Sequence, residues 1–244
     1  MKPFVLIATR AEDEAADGEY AAFLRYGQLR ERELLRLRLE AEPMPTLDLD
    51  AISGIILGGS PFTGCIPVEE KSATQLRVEA ELSALLDDVV ARDTPLLGAC
   101  YGVGSLGRHQ GGIIDETYAE EISAPLMRKT EAGRTDPLLA NLPDEFRSFV
   151  GHKEACRVLP PSATLLVEGD ACPVQMFRVK ENLYGTQFHP ELDVPGIHKR
   201  IDVYREHGYF PADTAQAVKD YTAGFDVSVS HRIVTNFVAY YARD

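Results

Sequence analysis

The chain has 244 residues, 45% of them hydrophobic, and a formal net charge of −13 from 25 Lys and Arg against 38 Asp and Glu. A globule of this length buries roughly 70–75% of its unfolded surface and needs no covalent staples. So acidic a surface argues against nucleic acid or an anionic membrane as partner, and no stretch reaches the roughly 18–20 apolar residues of a membrane span.

In chain order, Phe4–Thr9 reads as a buried strand, too short and too soon followed by Arg10 to be a secretory signal. Glu12-Asp13-Glu14 reads as a turn, with a helix over about Gly18–Gly27. Leu34–Leu39 suits a strand, and the surrounding Arg30, Arg32, Arg36 and Arg38 read as a solvated basic face. Pro43 and Pro45 break the pattern before Gly54–Leu57, a second buried strand that ends at Gly58-Gly59-Ser60-Pro61. Leucines and valines within Glu69–Arg92 fall on one helical face, and Pro95–Gly98 is the next strand. Strand, helix, strand with both strands continuously apolar predicts parallel βαβ packing. Beyond Gly112 the pattern turns to short strand-like runs at Ile113–Thr117, Phe146–Val150, Thr164–Val167, Val174–Phe177 and Leu183–Gln187. Val194–His207, a polar connection through Pro211 and a helix over about Ser230–Tyr241 close the chain.

The four cysteines, Cys65, Cys100, Cys156 and Cys172, are scattered with no CxxC pair. They predict neither a disulfide framework nor a metal site, and a cytoplasmic location is expected.

The run Leu96-Leu97-Gly98-Ala99-Cys100-Tyr101-Gly102 carries the most chemistry. A strand that turns sharply into a helix needs small residues two before and two after the apex, because their backbones nearly touch. The apex residue is strained and its side chain is pushed outward. A helix N-terminus behind the apex stabilises a thiolate, so a lowered Cys100 pKa is expected. A cysteine nucleophile needs a histidine base, and that histidine needs an orienting acceptor. His189 follows the strand-like Leu183–Phe188 and precedes Pro190-Glu191, which puts a carboxylate two residues from the imidazole. The Gly58 and Gly59 N–H groups, with that of Tyr101, are candidates for an oxyanion site. All three pieces lie past the carboxyl ends of predicted strands, where open α/β sheets place their sites. Taken singly, each has a plainer reading: a core cysteine, a tight turn or, for His152-Lys153-Glu154, a solvated loop.

Together, Gly98-x-Cys100-x-Gly102, the Gly58-Gly59 loop and Tyr184-Gly185-Thr186-Gln187-Phe188-His189-Pro190-Glu191 resemble the class I glutamine amidotransferase family. The likeness is closest to stand-alone members similar to the glutaminase half of GMP synthase, and it runs in order from about Phe4 to Glu191. The resemblance implies an α/β, flavodoxin-like three-layer sandwich with a mostly parallel central sheet and a small antiparallel sheet. It implies a single domain over 1–244, with a catalytic core of about 1–195 and a helical extension of about 196–244. It also implies a Cys-His-Glu triad that attacks a glutamine-type γ-carboxamide, forms a γ-glutamyl thioester and releases ammonia. Cys100 is then the nucleophile, His189 the base and acid, and Glu191 its orienter. No cofactor or metal is expected.

Two departures from the family pattern fall at the expected substrate site. The glutamine usual two residues after the second elbow glycine is Gly104 here, and the Ser-His-Gly-Asp stretch is Gly151-His152-Lys153-Glu154. Gly104 leaves room for a larger amide, which makes a γ-glutamyl peptidase the alternative to a glutaminase. A further alternative is a partner-dependent glutaminase, inactive until docked. Neither Ser-Gly-Gly-x-Asp-Ser nor GxxxxGK[ST] occurs, so a synthetase that uses the ammonia would be a separate partner chain. A homodimer is the other partner expected.

Overall fold

The computed structural model describes residues 1–207 and 209–244. Its first half alternates β1 (Phe4–Ala8), α1 (Asp13–Gly27), β2 (Leu34–Arg38), β3 (Gly54–Leu57), α2 (Ala73–Arg92), β4 (Leu96–Ala99) and α3 (Tyr101–His109). A strand-rich stretch follows, with β5 (Ile113–Asp115), β6 (Glu120–Ser123), β7 (Leu126–Lys129), the short α4 (Glu131–Thr135), β8 (Glu145–Arg147) and β9 (Val150–His152). It continues through β10 (Ala155–Val158), β11 (Ala163–Gly169), β12 (Met176–Val179) and β13 (Leu183–Thr186). Helices α5 (Val194–Val203), α6 (Ala215–Thr222) and α7 (Arg232–Tyr241) end the chain.

One nine-stranded sheet runs β2-β1-β3-β4-β13-β12-β11-β7-β8. From β2 to β13 the pairings are parallel; from β13 to β8 they are antiparallel. The sheet is therefore mixed, and its parallel half is the part reached by helical crossovers. Two small antiparallel ribbons, β10-β5 and β6-β9, stand apart from it.

Strands β1, β3, β4 and β13 are buried at every position. Their side chains alternate between two cores. Phe4 and Leu6 pack with Phe23 of α1 and with Phe237 and Tyr241 of α7. Val5 and Ile7 pack with Val78, Leu82, Leu86 and Val89 of α2 and with Val103 and Leu106 of α3. Helices thus cover both faces, which is why these strands read as unbroken apolar runs.

Helix α1 begins at Asp13, earlier than predicted, because Asp13 and Glu14 supply favourable charge to its first turn. Helix α2 begins later, since the Ser72 hydroxyl accepts from the Gln75 N–H and caps it. Strands β6, β7 and β10 and helices α4 and α6 lie where no regular element was predicted. Among the described residues, no helix is long and apolar enough to cross a membrane.

Candidate active site

Strand β4 delivers Cys100 to the apex of a sharp turn, where its N–H donates to the Thr186 carbonyl of β13 at 2.6 Å. Cys100 has φ 53° and ψ −87°, a backbone state costly for an L-residue, and α3 starts at the next residue. A Cβ added at Gly98 would lie 2.8 Å from the Gly102 Cα, whereas one added at Gly102 would meet nothing closer than the Leu57 carbonyl at 3.6 Å. Only the first glycine of the elbow is sterically demanded. Burial pushes the Cys100 thiol up to about 12; Arg10 and Arg200 pull it down, and Glu154 and Glu191 push it up. This runs against the lowering expected from the helix N-terminus, with desolvation the largest cause. The resting group is a neutral thiol.

Outside β13, the His189 N–H bridges to the Phe149 carbonyl at 2.9 Å, which fixes the backbone under the imidazole. Its Nδ1 lies 2.9 Å from Glu191 Oε1, and both side chains are buried. Arg200 Nη1 also approaches Nδ1, at 3.0 Å. One nitrogen cannot both donate to a carboxylate and accept from a guanidinium. Glu191 has no proton to give, so Nδ1 carries the hydrogen and Nε2 is left as the basic nitrogen. Burial lowers the His189 pKa, the Glu191 charge opposes this, and Arg200 and Arg10 reinforce it. Burial alone would raise the Glu191 carboxyl, but His189 and Arg200 outweigh it and hold the group well below the usual carboxylate range.

Behind the imidazole lies a buried cluster of alternating charge. Arg200 Nη2 donates to Glu191 Oε1 at 2.9 Å and to Glu19 Oε1 at 3.2 Å. Arg10 Nε donates to the same Glu19 oxygen at 3.1 Å, while its Nη1 reaches the Tyr204 hydroxyl at 3.1 Å. Each carboxylate meets a guanidinium, which offsets the desolvation of both. The Gly58-Gly59 loop closes on this cluster. A Cβ at Gly58 would lie 2.5 Å from Glu19 Oε2, and one at Gly59 would lie 2.7 Å from His189 Cε1. The Gly59 N–H donates to Glu19 Oε1 at 3.2 Å, and the Gly58 N–H to the Ile7 carbonyl at 3.0 Å. In this conformation, then, neither N–H is free to meet an oxyanion. Arg10, Glu19 and Arg200 were not singled out from the sequence as site residues. The available signal was Glu19, a carboxylate interrupting the buried stripe Ala15, Ala16, Phe23 and Gly27 of α1.

Cys100 lines two adjoining pockets, which share Ser60, Gly151 and Tyr209. His189, Arg10 and Arg200 line the first; Tyr101, Gly104, His152, Glu154 and Gln187 line the second. Tyr209 is covered in turn by Lys153, whose amine sits 4.7 Å from the ring centroid and donates to the His207 carbonyl at 2.8 Å. The room expected at Gly104 is already filled, since a Cβ there would lie 2.8 Å from Glu154 Oε1. Nor is 152–154 a solvated loop. His152 is buried, with Nδ1 3.0 Å from the Glu154 carbonyl and Nε2 3.0 Å from Glu120 Oε2. Glu120, His152 and Cys172 bring possible ligand atoms within 4.8 Å of one another. Burial pushes the Cys172 thiol up to about 12, and it donates to the Val174 carbonyl, which suits a hydrogen-bonded polar core better than a thiolate ligand.

Residues 28–202 match the family model for glutamine amidotransferase class-I. Over 175 residues the chain is 30% identical to GMP synthase [glutamine-hydrolyzing] of Streptomyces avermitilis, covering 68% of this chain and only 30% of that protein. It is 28% identical to a GMP synthase [glutamine-hydrolyzing] subunit of Thermococcus kodakarensis over 71% of this chain and 87% of the relative. A solved glutamine amidotransferase from Thermotoga maritima shares the fold, with TM-score 0.72 and 21% identity over 98% of this chain and 99% of that one.

Proposed function

The chain belongs to the class I glutamine amidotransferase family, and on that premise we propose that it hydrolyses the side-chain amide of glutamine, with Cys100, His189 and Glu191 as its triad. The observation that carries this reading is the buried His189 Nδ1 to Glu191 Oε1 contact at 2.9 Å, on an imidazole that lines the same cavity as Cys100.

Because the resting thiol is neutral, attack begins with transfer of its proton to His189 Nε2 as Sγ bonds to the amide carbon. The carbonyl oxygen takes the negative charge and meets the Tyr101 N–H, one of the first-turn donors of α3 that has no intrahelical acceptor. Gly59 becomes a second donor only if its N–H leaves Glu19. His189 then returns the proton to the departing nitrogen, ammonia leaves, and a γ-glutamyl thioester remains. Water attacks the thioester, giving its proton to His189, and glutamate leaves as Sγ recovers a proton. Glu191 holds the imidazole in the required tautomer throughout, and Arg200 keeps Glu191 ionised and in place.

The occupied space at Gly104 favours an amide of glutamine's size over a longer γ-glutamyl peptide. The names of the relatives, GMP synthase and one of its subunits, support a synthetase chain as the user of the ammonia. Ammonia release from glutamine tests the reading, alone and with a candidate synthetase. Cys100→Ser is expected to lose at least about 10³-fold and Glu191→Gln about 10²-fold or more. Unchanged turnover in Cys100→Ser would sink it.

A further inference from the structure

Gly104 and Glu154 depart from the family pattern together, and the structure joins them. The Glu154 side chain reaches over α3 into the volume that a side chain at 104 would fill, with Oε1 2.8 Å from the Gly104 Cβ position. Arg108, one turn further along α3, fixes it there: its Nη2 donates to both Glu154 oxygens at 2.8 Å. The Cys65 N–H donates to Oε2 at 2.7 Å. Oε2 thus receives two donors and Oε1 only one, so the oxygen facing Gly104 retains an acceptor position. Glu154 lines the second cavity with Cys100, and its charge is felt at the thiol.

A second observation points to a missing donor in the same place. Gln187 lines this cavity, and its Oε1 is buried with no hydrogen-bond partner among the described residues. Its Nε2 is committed to the Glu154 carbonyl at 3.4 Å, which sets the orientation of the amide. A buried acceptor left without a donor is costly, and a bound cationic group would relieve it. A carboxylate with spare capacity and an orphaned amide oxygen line the same pocket and together suit a primary ammonium: a second carboxylate has no proton to offer either, and a neutral amide lacks the charge that Glu154 attracts.

We infer that Glu154, seated in the space over Gly104 and assisted by Gln187, receives the α-ammonium group of the substrate while the amide lies at Cys100. This rests on the hydrolase reading above and specifies its substrate as a γ-amide with a free α-amino group. Arg108 is the positioning residue that aims the carboxylate. The longer Glu and the vacant position at 104 are one unit, because a side chain at 104 would evict the carboxylate.

Calorimetric titration of the full chain carrying Cys100→Ala tests this without turnover. The probes are L-glutamine and glutaramate, which keeps the amide and the carboxylate but lacks the α-ammonium. Glutamine is expected to bind about 10- to 100-fold more tightly, the range that a charge-assisted hydrogen bond supplies. Glu154→Gln in this background removes the preference and leaves glutaramate's affinity as it was. Gly104→Ala is the second variant, since its methyl displaces only the flexible end of Glu154; it too is expected to weaken glutamine selectively. Equal affinity for the two probes, or variants that weaken both alike, would overturn the subsite and leave the hydrolase standing. If neither probe binds, the amide reading falls with it.

Discussion

Replacing each elbow glycine by alanine separates steric necessity from sequence pattern. A Cβ at Gly98 would lie 2.8 Å from the Gly102 Cα, 3.0 Å from its carbonyl carbon and 3.2 Å from its oxygen. All three atoms are backbone, so no side-chain rotation relieves the contact and α3 must move away from β4. Overpacking of this kind costs about 1–3 kcal/mol, and a backbone obstacle points to the upper end. For a chain of this length roughly 2–4 °C of melting temperature is lost per kcal/mol, which gives a fall of about 6–12 °C. The same shift displaces Cys100, and a misplacement of about 1 Å costs on the order of 10²-fold in rate. Gly102→Ala is expected to behave in the opposite way. Its methyl meets nothing closer than 3.6 Å, and a helical Gly→Ala change gains about 0.5–1 kcal/mol. Circular-dichroism melts and the rate of Cys100 alkylation by a glutamine-like diazo-ketone read both effects. If Gly102→Ala proves as damaging as Gly98→Ala, or if Gly98→Ala melts and reacts like the parent, the account of the elbow is refuted.

Burial, reinforced by Arg200 and Arg10, holds the His189 pKa below its ordinary 6.5, so the acid limb of amide hydrolysis is expected below that pH. Removing a cation favours the imidazolium, so Arg200→Gln is expected to move the limb to higher pH. It also costs about 3–5 kcal/mol by unpairing buried carboxylates, so the profile is taken at low temperature. A limb that moves down contradicts the electrostatics. Lys153→Ala removes the cation packed on Tyr209, which lines both pockets with Cys100, and is expected to speed alkylation by a small neutral electrophile about 2- to 10-fold. An unchanged rate would mean that Tyr209 does not shield the thiol.

The parallel half of the sheet was legible because β1, β3, β4 and β13 are covered on both faces, and such strands appear as plain apolar runs. Gly98, Cys100, His189 and Glu191 were legible because one local backbone shape and one strand-end turn encode them. The antiparallel half was harder to read. Strand β7, Leu126–Lys129, alternates exposed and buried residues and is only four residues long, so periodicity had little to act on. The buried charge cluster was hidden for a different reason. Arg10 and Glu19 are separated by a strand-to-helix turn and Arg200 lies 181 residues beyond Glu19, so the three meet only after folding. No local pattern distinguishes a guanidinium that ends a strand from one exposed to solvent. The upward shift of Cys100 was hidden for a related reason, since the helix start is written locally while Tyr204 and Tyr209, which line its pocket, come from far along the chain.

The central claim is a γ-glutamyl thioester on Cys100. Incubation of the chain with glutamine, rapid acid quench and peptide mass spectrometry test it directly. The account predicts a γ-glutamyl adduct on the Cys100 peptide that hydroxylamine removes and Cys100→Ala abolishes. Ammonia release without that adduct under rapid quench, or an adduct on Cys65 instead, would contradict it.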